Sequence, residues 1–204
     1  MTSDRAPGAL AAPSAPDHAA LPQTVRIRDA GPADTARLAE IYAFHVRHGL
    51  STFEEVPPSA GEMAARLAAV RALALPYLVA ERDGRVLGYA YASAYRPRAA
   101  YRFTVENSVY LDEGLGGQGI GSLLLAALIE RCEQGPWRQM IAVIGNSGNA
   151  ASLALHRRHG FRNVGTLTSV GFKLGRWVDT VLMARGLGVG DGAPPEGAAG
   201  GPAR

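Results

Sequence analysis

Three parts of the sequence combine residue types and spacings suited to chemistry. The first is a glycine cluster, Gly114, Gly116, Gly117, Gly119 and Gly121. The stretch Gly117-Gln118-Gly119-Ile120-Gly121-Ser122 runs directly into a helical pattern. Glycines let a backbone approach an anion closely, and a helix N-terminus offers unpaired N–H groups and a partial positive charge. A diphosphate suits that combination; a loop that uses glycine only for its turns is the alternative. The second is Glu106, within an apolar/polar alternation over Phe103–Leu111. Period two puts Glu106, Ser108 and Tyr110 on one face. Glutamate is disfavoured inside a strand, so Glu106 is a candidate general base. Solvation, or an ion pair with Arg102, would account for it otherwise. The third is His156, seven residues after Asn149 and on one helix face with Ser152, Leu155 and His159. Its imidazole can donate a proton or bind an acidic substrate, or simply pack in the core.

Other readings of these residues fail on spacing. Gly114–Gly119 matches G-x-G-x-x-G, but a dinucleotide fold needs an acidic residue at the end of the next strand. Here Gly145, Asn146 and Ser147 follow instead. Four strands also precede the loop, where the fingerprint belongs to the first strand–helix turn. No Gly-Lys-Ser/Thr follows, so it is not a P-loop. His156–His159 and His45–His48 have metal-pair spacing, yet neither has a third ligand, and no metal is expected.

The elements that must position these groups are legible. A strand at Thr24–Arg28 precedes a helix carrying Leu38, Ile41, Tyr42 and His45 on one face. A capping box at Ser59–Glu62 opens a second helix, Ala60–Leu73. Tyr77–Glu81 and Arg85–Tyr95 form a hairpin through Asp83-Gly84. After Phe103–Leu111 and the glycine loop comes a helix with Ile120, Leu123, Leu124, Ala127 and Leu128 facing inward, continued by Cys132. Strand Met140–Ile144, a helix from Asn149 to His159, and strands Phe161–Val170 and Trp177–Arg185 complete a mixed α/β (α+β) domain.

Composition limits the function classes. The 204 residues are 47% hydrophobic and 19% charged, enough for a core. Residues 1–23 and 189–204 are glycine-, proline- and alanine-rich and are expected to be disordered tails, leaving one domain at 24–188. No apolar run is long enough to cross a membrane. Nothing marks a secretory signal, so a cytoplasmic protein is expected. A single cysteine, Cys132, excludes an internal disulfide framework. The net charge of +3 comes with scattered basic residues rather than a nucleic-acid-binding stripe.

Several stretches together resemble the GNAT superfamily of N-acetyltransferases, and within it the phosphinothricin N-acetyltransferase branch. They are Thr104-Val-Glu-Asn-Ser-Val-Tyr-Leu111, Gln118-Gly-Ile-Gly121, Ala142-Val-Ile-Gly145, Asn149-Ala-Ala-Ser-Leu-Ala-Leu-His156, Gly160-Phe161 and Gly171-Phe-Lys-Leu-Gly-Arg-Trp-Val-Asp179. The similarity spans about Val25 to Gly188. It implies a mixed sheet with two splayed parallel strands flanked by helices, and acetyl-CoA as co-substrate. It implies that the backbone of Val109 and Leu111 pairs with pantetheine, with Tyr110 between them also in the cofactor site. Gly117, Gln118, Gly119, Ile120, Gly121 and Ser122 would hold the diphosphate, with Asn149 near the thioester. Glu106 becomes the base, and His156 stands where many relatives carry a tyrosine acid.

The acceptor would be a small anionic amino-acid analogue: phosphinothricin, methionine sulfoximine or methionine sulfone. Arg96, Pro97, Arg98, Tyr101, Glu106, Asn107, Ser108, His156 and Lys173 are the candidate contacts, though each arginine is equally explained as a solvated loop charge. Arg98 to Tyr101 resembles herbicide-resistance enzymes, whereas Arg96-Pro97 and Arg102 resemble the sulfoximine enzymes. The branch usually has Gln or Arg at Gly116. The resemblance implies a homodimer and direct transfer. Another amine, a peptide N-terminus, or a non-catalytic acyl-CoA-binding module are the alternatives; no nucleic-acid or membrane partner is expected.

Overall fold

The computed structural model describes residues 24–195. The expected tail 1–23, and residues 196–204 of the other, lie outside the described residues. Residues 187–192 form hydrogen-bonded turns, with Gly190 N donating to Leu187 O and Gly192 N to Val189 O.

Seven strands form one sheet: β1 (Arg26–Asp29), β2 (Tyr77–Arg82), β3 (Arg85–Ala94), β4 (Thr104–Leu111), β5 (Gln139–Gly145), β6 (Arg162–Lys173) and β7 (Arg176–Gly186). Their spatial order is β1-β2-β3-β4-β5-β7-β6. Every neighbouring pair is antiparallel except β4–β5. The helices are α1 (Thr35–His48), α2 (Ala60–Ala72), α3 (Ile120–Glu133) and α4 (Ala150–Arg158).

Residue size sorts the two faces of the sheet. On β3, Tyr89 and Tyr91 alternate with Gly88, Ala90 and Ala92. The small residues pair with Leu111, Val109 and Asn107 of β4. Leu111 approaches Gly121 of α3 on that side, so α3 sits close to the sheet there. The tyrosines lie on the other face with Tyr77 of β2; the rings of Tyr77 and Tyr91 stack at 4.8 Å. Tyr110 of β4 meets Tyr42 of α1 on this face, edge to face at 4.9 Å.

Helix α3 differs from the sequence expectation. Leu124, Leu128 and Cys132 are buried as expected, but Leu125 and Ile129 join them and Leu123 is 48% exposed. Three consecutive leucines let a 3.6-residue period start on either side of Leu124. Docking on β3 selects Leu125.

The β4–β5 pair is joined only over Thr104–Asn107 against Gln139–Ala142. Beyond that point β5 stays paired with β7 as far as Gly145, and β4 with β3 as far as Leu111. The two parallel strands therefore fork. Asp112 N donates to Leu87 O at 2.8 Å, toward β3. Backbone polar groups alternate sides along a strand, so those of Val109 and Leu111 point into the fork.

Candidate active site

The fork opens into a cleft of about 710 Å³. Val109, Tyr110, Leu111, Gly117, Gly119, Gly121, Ser122, Asn149 and His156 line it, as do Asn107, Ser108 and Gly116. Its floor is anchored at Asp112, whose carboxylate accepts from Arg37 and, at 2.7 Å, from Arg85. The chain then turns through Gly114, Gly117 and Gly119, with φ of +74°, +79° and +82°. Only glycine adopts that region without strain. Gly119 stands at the cap position of α3 with no capping side chain, so the first N–H groups of the helix have no side-chain partner there. A side chain at Gly116 would meet nothing within 4 Å. Ile120 is 2% exposed and packs into the core, leaving only its backbone for a ligand. Gln118 is exposed, its amide 3.5 Å from Gly114 O.

Helix α4 closes the fork. Asn149 caps it, its side-chain oxygen accepting from Ser152 N at 3.1 Å. His156 is 4% exposed. Its Nδ1 lies 2.8 Å from Ser152 O and its Nε2 3.0 Å from Asn107 Oδ1. Burial pushes the imidazole below the usual histidine range, and nearby His159 adds to that. Ser122 ties α3 to α4 through His159 Nε2 at 2.7 Å.

Glu106 lies on the opposite face of β4, across from Ser93 of β3. Its carboxyl is raised above the usual carboxylate range by burial, with Arg96 pulling the other way. Asn107 therefore points away from Glu106 and Ser108, toward α4. On the Glu106 side, a second cavity of about 240 Å³ is lined by Tyr42, Arg66, Tyr77, Tyr89 and Tyr91. The Tyr77 hydroxyl is buried with no partner among the described residues.

The other acceptor candidates are dispersed. Arg96 stacks over Tyr95 at 5.0 Å, and Tyr101 packs edge-on against the same ring. Arg96, Pro97, Arg98 and Tyr101 belong to an exposed loop before β4. Arg102 covers the Phe103 ring at 4.4 Å rather than pairing with Glu106. Lys173 is 2% exposed, its ammonium donating to Thr52 O at 2.7 Å. It thus clamps the Leu50–Pro58 loop to the β6–β7 hairpin. Cys132 is fully buried, its thiol pushed up to about 12 by that burial.

Two contributors escaped the sequence reading. His45 donates from Nε2 to Leu111 O at 2.7 Å, reaching the fork from α1. Leu50 O passes so close to Gly145 that a Cβ there would sit 2.3 Å away. Neither has a motif: one was legible only as an inward-facing helix position, the other only as a glycine. Among the described residues no helix is long and apolar enough to cross a membrane.

Residues 27–182 match the family model described as acetyltransferase (GNAT) domain. The phosphinothricin N-acetyltransferase of Alcaligenes faecalis is 55% identical, over 93% of this chain and 100% of that one. The L-methionine sulfoximine/L-methionine sulfone acetyltransferase of Pseudomonas aeruginosa is 41% identical, over 82% and 98%. Among solved structures, a GNAT superfamily phosphinothricin acetyltransferase from Sinorhizobium meliloti, in complex with acetyl-CoA, superposes with a TM-score of 0.83. It is 47% identical, over 86% of this chain and 95% of that one.

Proposed function

The chain belongs to the GNAT acetyltransferase family, and from that premise we propose that it is an acetyl-CoA-dependent N-acetyltransferase of small amino-acid analogues. The acceptors are of the phosphinothricin, methionine sulfoximine or methionine sulfone type. The observation that carries this reading is the fork. It presents backbone groups of Val109 and Leu111 that no neighbouring strand pairs, beside a glycine-built helix N-terminus, with a half-buried carboxylate across the same strand.

The residues fit acetyl-CoA. An extended amide chain can pair with the free edge of β4 as an added strand. The diphosphate suits the N–H groups of Gly117–Gly121, where the helix dipole favours negative charge, with Ser122 at the edge of that cradle, its N–H held by Gly119 O at 3.0 Å. When bound, acetyl-CoA supplies the activated acetyl group. Glu106 takes the proton from the acceptor's ammonium, directly or through water; burial raises its pKa and so strengthens it as a base. His156, on the other face, gives a proton to the departing thiolate. Transfer is direct, since the one cysteine is buried in the core. Arg96, exposed and electrically coupled to Glu106, is the best placed of the basic residues to meet the acceptor's acid group.

We also place the enzyme in the cytoplasm and read it as a homodimer. Val164, Val170, Phe172, Leu174 and Trp177 on the β6–β7 hairpin are between 53% and 66% exposed, which supports an interface there.

The test is release of CoA thiol from acetyl-CoA with each of the three acceptors, alongside amino acids and a peptide. Release with at least one analogue, lowered about 10²–10⁴-fold in Glu106→Gln, is expected. Thiol release with none of the three analogues would overturn the substrate assignment. Acetyl-CoA binding without turnover of any amine would favour a non-catalytic binding module.

A further inference from the structure

His156 and Asn107 belong to a buried chain of hydrogen-bonding groups with a backbone carbonyl at each end. Ser152 O lies 2.8 Å from His156 Nδ1, and His156 Nε2 lies 3.0 Å from Asn107 Oδ1. Asn107 Nδ2 donates to Ile141 O at 3.0 Å. Both side chains are almost fully buried, at 4% and 6% exposure. Carbonyl oxygens only accept, so three contacts need three hydrogens. A neutral imidazole brings one and the amide brings one to the end facing Ile141. One contact is left with two lone pairs opposed. Moving the proton to the other ring nitrogen relocates the conflict to Ser152. Turning the amide over relocates it to Ile141. Only the imidazolium satisfies the whole chain.

We propose that Asn107 is a positioning residue that favours a hydrogen on each ring nitrogen of His156, working against the burial of the ring, and makes this end of the fork a built proton-holding site. This rests on the acetyltransferase reading above. In that setting an N–H bond of His156 breaks and an S–H bond forms on the departing thiolate. The imidazolium and thiolate charges cancel, and the ring recovers its proton from solvent. The neutral ring then opposes the Asn107 oxygen, which favours that recovery.

The surroundings leave Asn107 and Ser152 as the counterweights to burial. From α4, His159 disfavours the charged ring. From the residue just before β6, the Phe161 ring stands edge-on at 5.0 Å. From β5 there is the Ile141 carbonyl, and from β4 only Asn107, because Glu106 faces the other way. Ser152 Oγ, at 3.4 Å from Nδ1, is a weak further contact.

The experiment is NMR titration of the His156 ring in the full chain without acetyl-CoA, assigned by loss of the signal in His156→Gln. Asn107→Leu removes the acceptor and should lower the His156 pKa by roughly one pH unit. Asn107→Asp puts a carboxylate in its place and should raise it. A protonated His156 is the active form, so the alkaline limb of kcat should move down in the first variant and up in the second. Shifts of the same sign in both variants, or no shift in either, would overturn the proposal. Should Asn107→Leu fail to fold, Asn107→Ser shortens the side chain, keeps it polar and should shift the ring the same way. The titration is read without turnover, so failure of the acetyltransferase reading would show separately, as absent CoA release.

Discussion

At the residue scale, the chemistry divides across one strand. Glu106 and Asn107 are adjacent in sequence and face opposite sides of the sheet, one on the side of the tyrosine-lined cavity, the other toward His156. Alternation made that division legible, but not its consequences. Burial raises Glu106 and the Arg96 cation opposes the rise. A base with a raised pKa loses activity as pH falls through that value. Arg96→Ala removes the opposing cation, so the Glu106 pKa should climb further. The acid limb of kcat/KM should therefore move to higher pH. Profiles measured at high and low salt check this, because the effect of an exposed arginine should shrink as salt rises.

At the element scale, the junction between β4 and α3 depends on backbone shape more than on side chains. Gly119 has φ +82° and open space around it, so conformation rather than crowding requires glycine there. Gly119→Val should cost about 1–2 kcal/mol and weaken acetyl-CoA binding about tenfold. Gly116 is equally open and does not have positive φ. Gly116→Arg should change stability by no more than about 0.5 kcal/mol and tighten binding, since its guanidinium can reach the diphosphate. Thermal melts and calorimetric titration with acetyl-CoA distinguish the two. The glycine spacing in the sequence pointed to this loop as a whole. Which glycines are indispensable depends on φ values that the chain acquires only between a sheet and a docked helix.

At the scale of the whole molecule, the segment before α2 and the last hairpin lock together. Gly171 lets the Phe53 ring approach so closely that a Cβ would lie 2.5 Å from it. Lys173 holds Thr52 O, while Tyr42 and Arg66 hold Glu54 at 2.9 and 2.8 Å. Lys173 therefore clamps a loop over the site; the sequence suggested a direct substrate contact. The outer side of the same hairpin exposes Phe172 and Trp177, packed edge to face at 5.3 Å. Light scattering should give about twice 21.4 kDa for the native chain and a shift toward the monomer for Trp177→Glu, since a buried charge disfavours an apolar interface. A native monomer at micromolar concentration would refute the dimer.

Periodicity, glycine spacing and the Thr104–Leu111 and Gly171–Asp179 segments determined the order of elements, the glycine loop ahead of α3 and the strand that carries Glu106. These are local properties, encoded within a turn or a strand. Only the tertiary structure decided that β4 and β5 part after Asn107, that α3 turns Leu125 inward, and that the Asn107 amide meets His156. Each of these joins groups dozens of residues apart. Such contacts leave no spacing in a sequence; they arise when one packing arrangement satisfies the buried polar groups of several elements at once.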